Sequence, residues 1–307
     1  MAFFSVIIPL YNKQDYIENT VSSILKQTFT DFEIIIVNDG STDASLERVM
    51  HFSDNRIRIF TTENQGVSAA RNVAMRHASG MYFAFMDADD YWYPQHLEKL
   101  HETILTLNHL SVFTTLLEVE TANGIYPAHY SNLPDTIMEE VDLFKTSMAH
   151  VLLSAYTTAI HKSVFTNVGP FNEALSNGED TEYWFRIGFN YKIGLYNRIT
   201  ARHTFVPGSL SNRKFNSRNF CNFERFIEME RENPIAKKAI DINRFSLALQ
   251  CKIHGDRTTF KRLAQQIDKS NLLPKQRFLL QLPAFFLIRL QQFKNYLEKK
   301  NIRLGAF

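Results

Sequence analysis

The chain has 307 residues, enough for one large α/β domain or a domain with an appendage. Hydrophobic residues at 45% and charged residues at 21% are ordinary globular usage, which excludes wholesale disorder and fibrous repeats. The formal charge of +2 points to neither a nucleic-acid binder nor an acidic tail, but it conceals a split: residues 1–199 hold 13 Lys/Arg against 24 Asp/Glu, and residues 200–307 hold 21 against 8.

Phe3–Pro9 is a continuous apolar run, as expected of a strand buried on both faces, and with no basic segment before it the start reads as a strand and not as a signal peptide. Ile17, Val21, Ile24 and Leu25 then recur at helical spacing. Phe32–Val37 is a second buried strand, and Asp43–Phe52 a helix opened by Ser41-Thr42-Asp43. Arg56–Phe60 alternates as a third strand, Val67–Ala78 is a helix of small residues, and Met81–Met86 a fourth strand. This repetition with short links predicts a parallel, doubly wound sheet, the kind that binds ligands beyond the carboxyl ends of its strands.

Farther on, Pro94–Leu107 reads as a helix, Ser111–Val119 as a strand, and Asn123-Gly124 as the turn of a hairpin reaching to about Tyr130. Glu179–Phe189 predicts a helix and Lys192–Phe205 one or two strands. From Phe215 the pattern is helical, in segments 215–232, 235–253, 258–269 and 275–300. The domain boundary is expected near Pro207-Gly208, close to the change of charge, with the first domain taken to 213 and a helical region over 214–307.

Carboxylates cluster where strands end. Asn38-Asp39-Gly40 follows the second strand and Met86-Asp87-Ala88-Asp89-Asp90 the fourth. In an extended chain Asp87 and Asp89 share a side, so both can face one ligand, and their hard oxygens suit Mg2+ or Mn2+ completed by a diphosphate. The same residues also suit turns and helix caps ahead of the helix at Pro94, and Asp90, pointing the other way, is expected to be a cap. In Gln65-Gly66-Val67-Ser68-Ala69-Ala70-Arg71-Asn72, Gly66 permits a tight turn, Ser68 can cap, and Arg71 can reach a carboxylate or a phosphate.

Ser5-Val6-Ile7-Ile8-Pro9-Leu10-Tyr11-Asn12, Val37-Asn38-Asp39-Gly40-Ser41-Thr42-Asp43, Gly66-Val67-Ser68-Ala69-Ala70-Arg71-Asn72 and Met86-Asp87-Ala88-Asp89-Asp90 together resemble the family 2 glycosyltransferases of the GT-A fold, in family order and spacing. Gly169-Pro170-Phe171-Asn172-Glu173 and the acidic run Glu179-Asp180-Thr181-Glu182 look like the family's later elements, with Pro170 and Asn172 as departures. The similarity runs to about residue 213.

The resemblance implies an α/β GT-A fold with a C-terminal helical extension, and an inverting enzyme that uses a nucleoside diphosphate sugar, most often uridine-linked. It implies that Pro9 and Tyr11 line the base, and that Asp39 bonds the base or ribose. Arg71 would lie near the base or diphosphate, Asp87 near the ribose, Ala88 at the nucleotide sugar, and Asp89 on Mn2+ or Mg2+. Asp180, with Glu179 second, would be the base that deprotonates the acceptor hydroxyl; otherwise these acids simply favour a helix N-terminus. Arg186 would orient the pair or form a plain salt bridge, and His203 is a candidate on the metal. Trp92 and Trp184 could stack on sugar, with core packing favoured for Trp184.

The resemblance further implies a glycan or lipid-linked acceptor in surface-polysaccharide synthesis, such as capsule or lipopolysaccharide. The alternatives are a sugar-nucleotide nucleotidyltransferase, which should carry a Gly-rich basic loop where this chain has Pro9-Leu10-Tyr11-Asn12, and a non-catalytic nucleotide-sugar-binding scaffold. Two cysteines, Cys221 and Cys251, without metal-ligand spacing, point to a reducing cytoplasm. No run reaches a membrane span. Within 275–303 basic residues alternate with Phe and Leu, which predicts peripheral contact with an anionic membrane at its inner face. A face of its own domain, or of a second subunit in a homo-oligomer, is the other expectation, and no nucleic acid is expected.

Overall fold

The computed structural model describes residues 1–148, 150–206, 215, 220, 221 and 223–298. Contacts divide the chain into two compact units, Met1–Ser209 and Leu210–Phe307. Pro207-Gly208, and Lys299, Lys300 and Arg303 of the basic segment, lie outside the described residues.

The first unit begins with β1 (Phe4–Leu10), α1 (Ile17–Leu25), β2 (Phe32–Asp39), α2 (Ser45–Met50), β3 (Ile57–Thr62), α3 (Val67–His77) and β4 (Tyr82–Phe85). It continues with β5 (Tyr91–Trp92), α4 (His96–Thr106), β6 (Val112–Thr121), β7 (Gly124–Pro127), β8 (Met138–Val141) and α5 (Leu143–Thr146). It closes with β9 (Thr158–His161), α6 (Lys162–Val168), α7 (Glu179–Asn190) and β10 (Ile193–His203). Among the described residues the strands form one sheet in the order β3-β2-β1-β4-β9-β6-β10-β5, with β7 beside β6 and β8 beside β10.

The expected parallel sheet is present over β3-β2-β1-β4. Beyond it the sheet is mixed. Strand β9 runs antiparallel to both β4 and β6, while β6 and β10 are parallel. Every residue of β1 and β2 is buried, because both strands are central and covered on two faces. Val6, Ile8, Ile34 and Ile36 form one cluster with Ile17, Val21 and Ile24 of α1. On β1 and β2 also packs α3, whose Ala69, Ala70 and Ala74 are buried, small side chains that let helix and sheet approach closely.

Pro9 sits in a central strand without breaking it. The amide of Met86 donates to Ile7 O, and the β1–β4 pairing stops at Ile7 and Phe85. Pro9 faces the same side two residues later, where β4 no longer needs a donor. This places it at the carboxyl edge of the parallel half, where the candidate site lies.

The second unit contains a 3-10 turn at Glu224–Phe226 followed by α8 (Ile227–Arg231), then α9 (Pro234–Ile253), α10 (Arg257–Gln266), α11 (Pro274–Gln281) and α12 (Ala284–Glu298). Of the helix expected over 215–232, the described residues 215, 220, 221 and 223 are not helical, and helical turns are present from Glu224 to Arg231. The single helix expected over 275–300 is two, because Pro283 lacks an N–H and forces Leu282 into an extended conformation (ψ 139°).

Candidate functional site

The loops after β1, β2 and β4 meet the N-termini of α3 and α7. Asn12, at φ 50°, accepts from the Thr42 amide (2.8 Å) and donates its own amide to Ser41 Oγ (3.2 Å). Ser45 Oγ accepts from the Lys13 amide, and Asp43 from the amides of Gln14 and Ser45. The Ser41-Thr42-Asp43 segment thus laces two strand-end loops together. Tyr11 projects from this rim, 37% exposed.

Asp39 closes the end of β2. Its Oδ1 accepts from the Gln65 amide and its Oδ2 from the Gly66 amide, both at 2.8 Å. Gly66 has φ 94°, a conformation that disfavours any residue with a Cβ, and leads directly into α3. The expected cap from Ser68 is not made: α3 starts at Val67 with Gly66 at its N-cap, so Ser68 lies inside the first turn, and its buried hydroxyl has no partner among the described residues.

Arg71 is the hub. Only 3% exposed, it places Nη2 2.7 Å from Asp87 Oδ1 and Nη1 3.3 Å from Glu179 Oε1, and its guanidinium lies 5.3 Å from the Phe171 ring centroid. Burial opposes its charge, but Asp87 and Glu179 together raise its pKa further, so it stays a cation. Residues sixteen and 108 positions away are brought onto one side chain.

Residues 86–90 form a turn, with the Asp90 amide on Asp87 O (3.2 Å), so the strand-like alternation expected for Asp87 and Asp89 does not hold. Asp87 goes to Arg71, and Asp89 pairs with Lys13. Thr20 Oγ1 holds the turn from below by donating to the carbonyls of Ala88 (3.1 Å) and Asp90 (2.8 Å), while the Ala88 side chain is buried in the core. Asp90 is not a helix cap. Its buried Oδ1 accepts from the Thr204 amide (2.8 Å) and contacts His203 Nδ1 (3.0 Å). Burial raises its pKa to about 6 against the pull of His203. Burial acts against a charge on His203 too, but the bond to Asp90 and the field of Asp87, Asp89 and Asp90 push it up to about 9.

Across from this turn, α7 opens at Gly178, whose left-handed φ of 70° turns Glu179 and Asp180 into the first helical turn. Burial and then the neighbouring Asp180 raise Glu179 to about 7, with Arg71 pulling the other way. Asp180 Oδ1 accepts from the Thr181 amide, and no cation bonds it among the described residues. Arg186 does not orient this pair. It grips Glu182 through Nε and Nη2 and donates to the carbonyls of Val168 and Pro170, both at 2.7 Å, because Glu182 lies one turn away on the same buried face.

Both tryptophans are core residues. Trp184 is buried against Phe85 and Phe171 as expected. Trp92 is not a sugar platform: it stacks on His96 (4.3 Å) and donates Nε1 to Tyr156 O (2.7 Å). Three contributors were not singled out from the sequence. Lys13 has a signal, lying just past the first motif. Asn72, quoted only as part of a motif, grips Phe171 through its backbone. Tyr156 stacks on His203 (5.3 Å, 12° between planes), and nothing in its neighbourhood of sequence marks it.

Among the described residues no three His, Cys, Asp or Glu side chains converge on a metal position. A cation held by few protein ligands and finished by phosphate oxygens nevertheless suits what is present. Asp89 offers a hard carboxylate. His203 has its Nδ1 engaged by Asp90, an arrangement that would make Nε2 a fixed ligand atom once a metal displaced its proton.

The sequence model of Glycosyl transferase family 2 matches residues 5–165. The UDP-Glc:alpha-D-GlcNAc-diphosphoundecaprenol beta-1,3-glucosyltransferase WfgD of Escherichia coli is 28% identical over 238 residues, covering 76% of this chain and 88% of that protein. An uncharacterized glycosyltransferase of Rickettsia conorii is 30% identical over 225 residues, 71% of this chain but only 36% of that longer protein. S. aureus TarS 1–349 in complex with UDP-GlcNAc superposes with a TM-score of 0.58 at 20% identity, over 90% of this chain and 78% of that one, a likeness of fold.

Proposed function

Since the chain belongs to glycosyltransferase family 2, we propose that it transfers a sugar from a UDP-linked donor, with inversion, to a hydroxyl of a glycan or lipid-linked glycan at the cytoplasmic side of a membrane, in surface-polysaccharide synthesis. The observation that carries this reading is Arg71, which joins the strand-end carboxylate Asp87 to Glu179 at the head of α7. One buried cation thereby brings a donor-side and an acceptor-side carboxylate into one site.

In this reading Asp180 is the base, since its carboxylate is not committed to a cation whereas Glu179 is held by Arg71. Asp180 takes the proton of the acceptor hydroxyl as the oxygen attacks the anomeric carbon from the face opposite the diphosphate. Pro9, Tyr11 and Asp39 border the base and ribose, and Asp87 and the 88–89 backbone meet the nucleotide sugar. Asp89 and His203 Nε2 would hold Mn2+ or Mg2+, which when bound neutralises charge developing on the leaving diphosphate. The WfgD name specifies a UDP-glucose donor and a diphosphoundecaprenol-linked acceptor, and both are the first substrates to try here.

The test is release of UDP from UDP-glucose and UDP-N-acetylglucosamine with Mn2+, with and without a GlcNAc-diphospholipid acceptor. Asp180→Asn should lower acceptor-dependent turnover by about 10²–10⁴ while donor binding persists. Turnover like the wild type in both Asp180→Asn and Asp89→Asn would overturn the site.

A further inference from the structure

Helix α12 is apolar on two sides. One side is accounted for: Leu287 is buried, and the helix packs against α9. The other side carries Phe285, Phe286, Leu290 and Phe293, exposed by 60, 53, 38 and 55%. Phe286, Leu290 and Phe293 follow at i, i+4 and i+7, so they form a row along the helix, with Phe285 and Arg289 beside it. Single exposed aromatics are ordinary, but four large apolar side chains on one helix form a patch that marks a contact site.

The charge on α12, and on the chain leading into it, selects its occupant. From Asp268 to Glu298 the chain has five cations (Lys269, Lys275, Arg277, Arg289 and Lys294) against two acids, one at each end. Lys269 and Arg277 also line, with Lys261, Phe260 and Leu280, a groove of about 520 Å³ between α10 and α11. Pairing this face with a second copy would set like charges against each other, whereas a surface of lipid phosphates complements them. Among the described residues no helix is long and apolar enough to cross a membrane, and the fifteen residues of α12 fall short of the ~20 that a span requires.

We infer that α12 lies in the plane of an anionic membrane, with Phe286, Leu290 and Phe293 sunk to the acyl boundary and Arg289 at the phosphates. The inner side stays on α9, so docking needs no unfolding of the unit. This goes beyond the transfer reaction and does not depend on it, and binding is therefore measured without turnover.

The experiment is flotation of the full chain with vesicles of phosphatidylcholine alone or mixed with phosphatidylglycerol. The chain should float with the mixed vesicles only and be partly released by added salt. Phe286→Ser/Phe293→Ser should weaken binding at least about tenfold without moving the thermal midpoint, since both side chains are exposed. Arg289→Gln should weaken it about two- to fivefold and flatten the salt dependence. Absence of flotation, equal flotation with neutral vesicles, or undiminished binding by both variants would overturn the inference. A wild-type dimer that the double variant splits, with no flotation, would assign the face to a second copy and overturn it as well.

Discussion

Asn72 and Phe171 pair as two strands would: Asn72 Oδ1 accepts from the Phe171 amide at 2.8 Å, and Nδ2 donates to the Phe171 carbonyl at 3.0 Å. The same Nδ2 reaches Glu173 Oε1 at 2.8 Å. A side-chain amide in α3 thereby supplies the backbone of the 169–173 loop with the partners it would otherwise lack, and positions the entry to α7.

Asn72→Ala leaves both Phe171 backbone groups buried without partners. The expected loss is about 2–4 kcal/mol in urea unfolding, with a fall in turnover. Asn72→Asp keeps the acceptor but sets a carboxylate against a carbonyl and Glu173, and should be no better. Stability unchanged in both variants would remove the assigned role.

Arg71→Met strands Asp87 and Glu179, and should cost about 3–5 kcal/mol because two partly buried carboxylates lose one cation. Arg71→Lys supplies charge but not the fork that spans both partners, so stability should recover more than turnover. Equal recovery of the two would argue that Arg71 is structural only.

Much of this site was legible because its motifs are local. Strand, turn and helix signals around Pro9, Asp39, Gly66 and Asp87 lie within a few residues of one another, and they place loops at the carboxyl edge of a parallel sheet. What was not legible is pairing across distance. Asp90 looks like a cap until His203, 113 residues on, is beside it. Arg186 looks free to orient Glu179 until Glu182, on its own buried face, claims it. Trp92, next to an acidic motif, goes inward because His96 offers it a stacking partner. The antiparallel β9 was missed because a four-residue strand in an irregular region has no period to read.

Glu179 should leave a mark on the pH dependence of stability. Its carboxyl sits at about 7 in the fold against an ordinary 4.5. The folded chain therefore binds a proton that the unfolded chain releases, and stability falls as pH rises across that window. Glu179→Gln cannot titrate, so relative to the wild type it should gain about 1–3 kcal/mol between the two ends. Chemical unfolding at pH 4.5 and 8 measures this, and parallel profiles would contradict it.

Arg186→Ala should be among the costly changes in α7. It strips the carbonyls of Val168 and Pro170 of a donor and leaves Glu182, nearly fully buried, without its cation. A loss of about 3–5 kcal/mol is expected, with partial rescue by the double change Glu182→Gln/Arg186→Met. Additive losses in that cycle would show that the pair is uncoupled.

A cation shared by Asp87 and Glu179 would also couple the two ends of the proposed site through a single side chain. A phosphate group that draws Arg71 toward itself lowers the hold on Glu179, whose affinity for a proton then rises. Nucleotide uptake would be accompanied by proton uptake, and by thermodynamic reciprocity acid would tighten the nucleotide. Calorimetry in buffers of different ionisation enthalpy would register that exchange as a heat that follows the buffer.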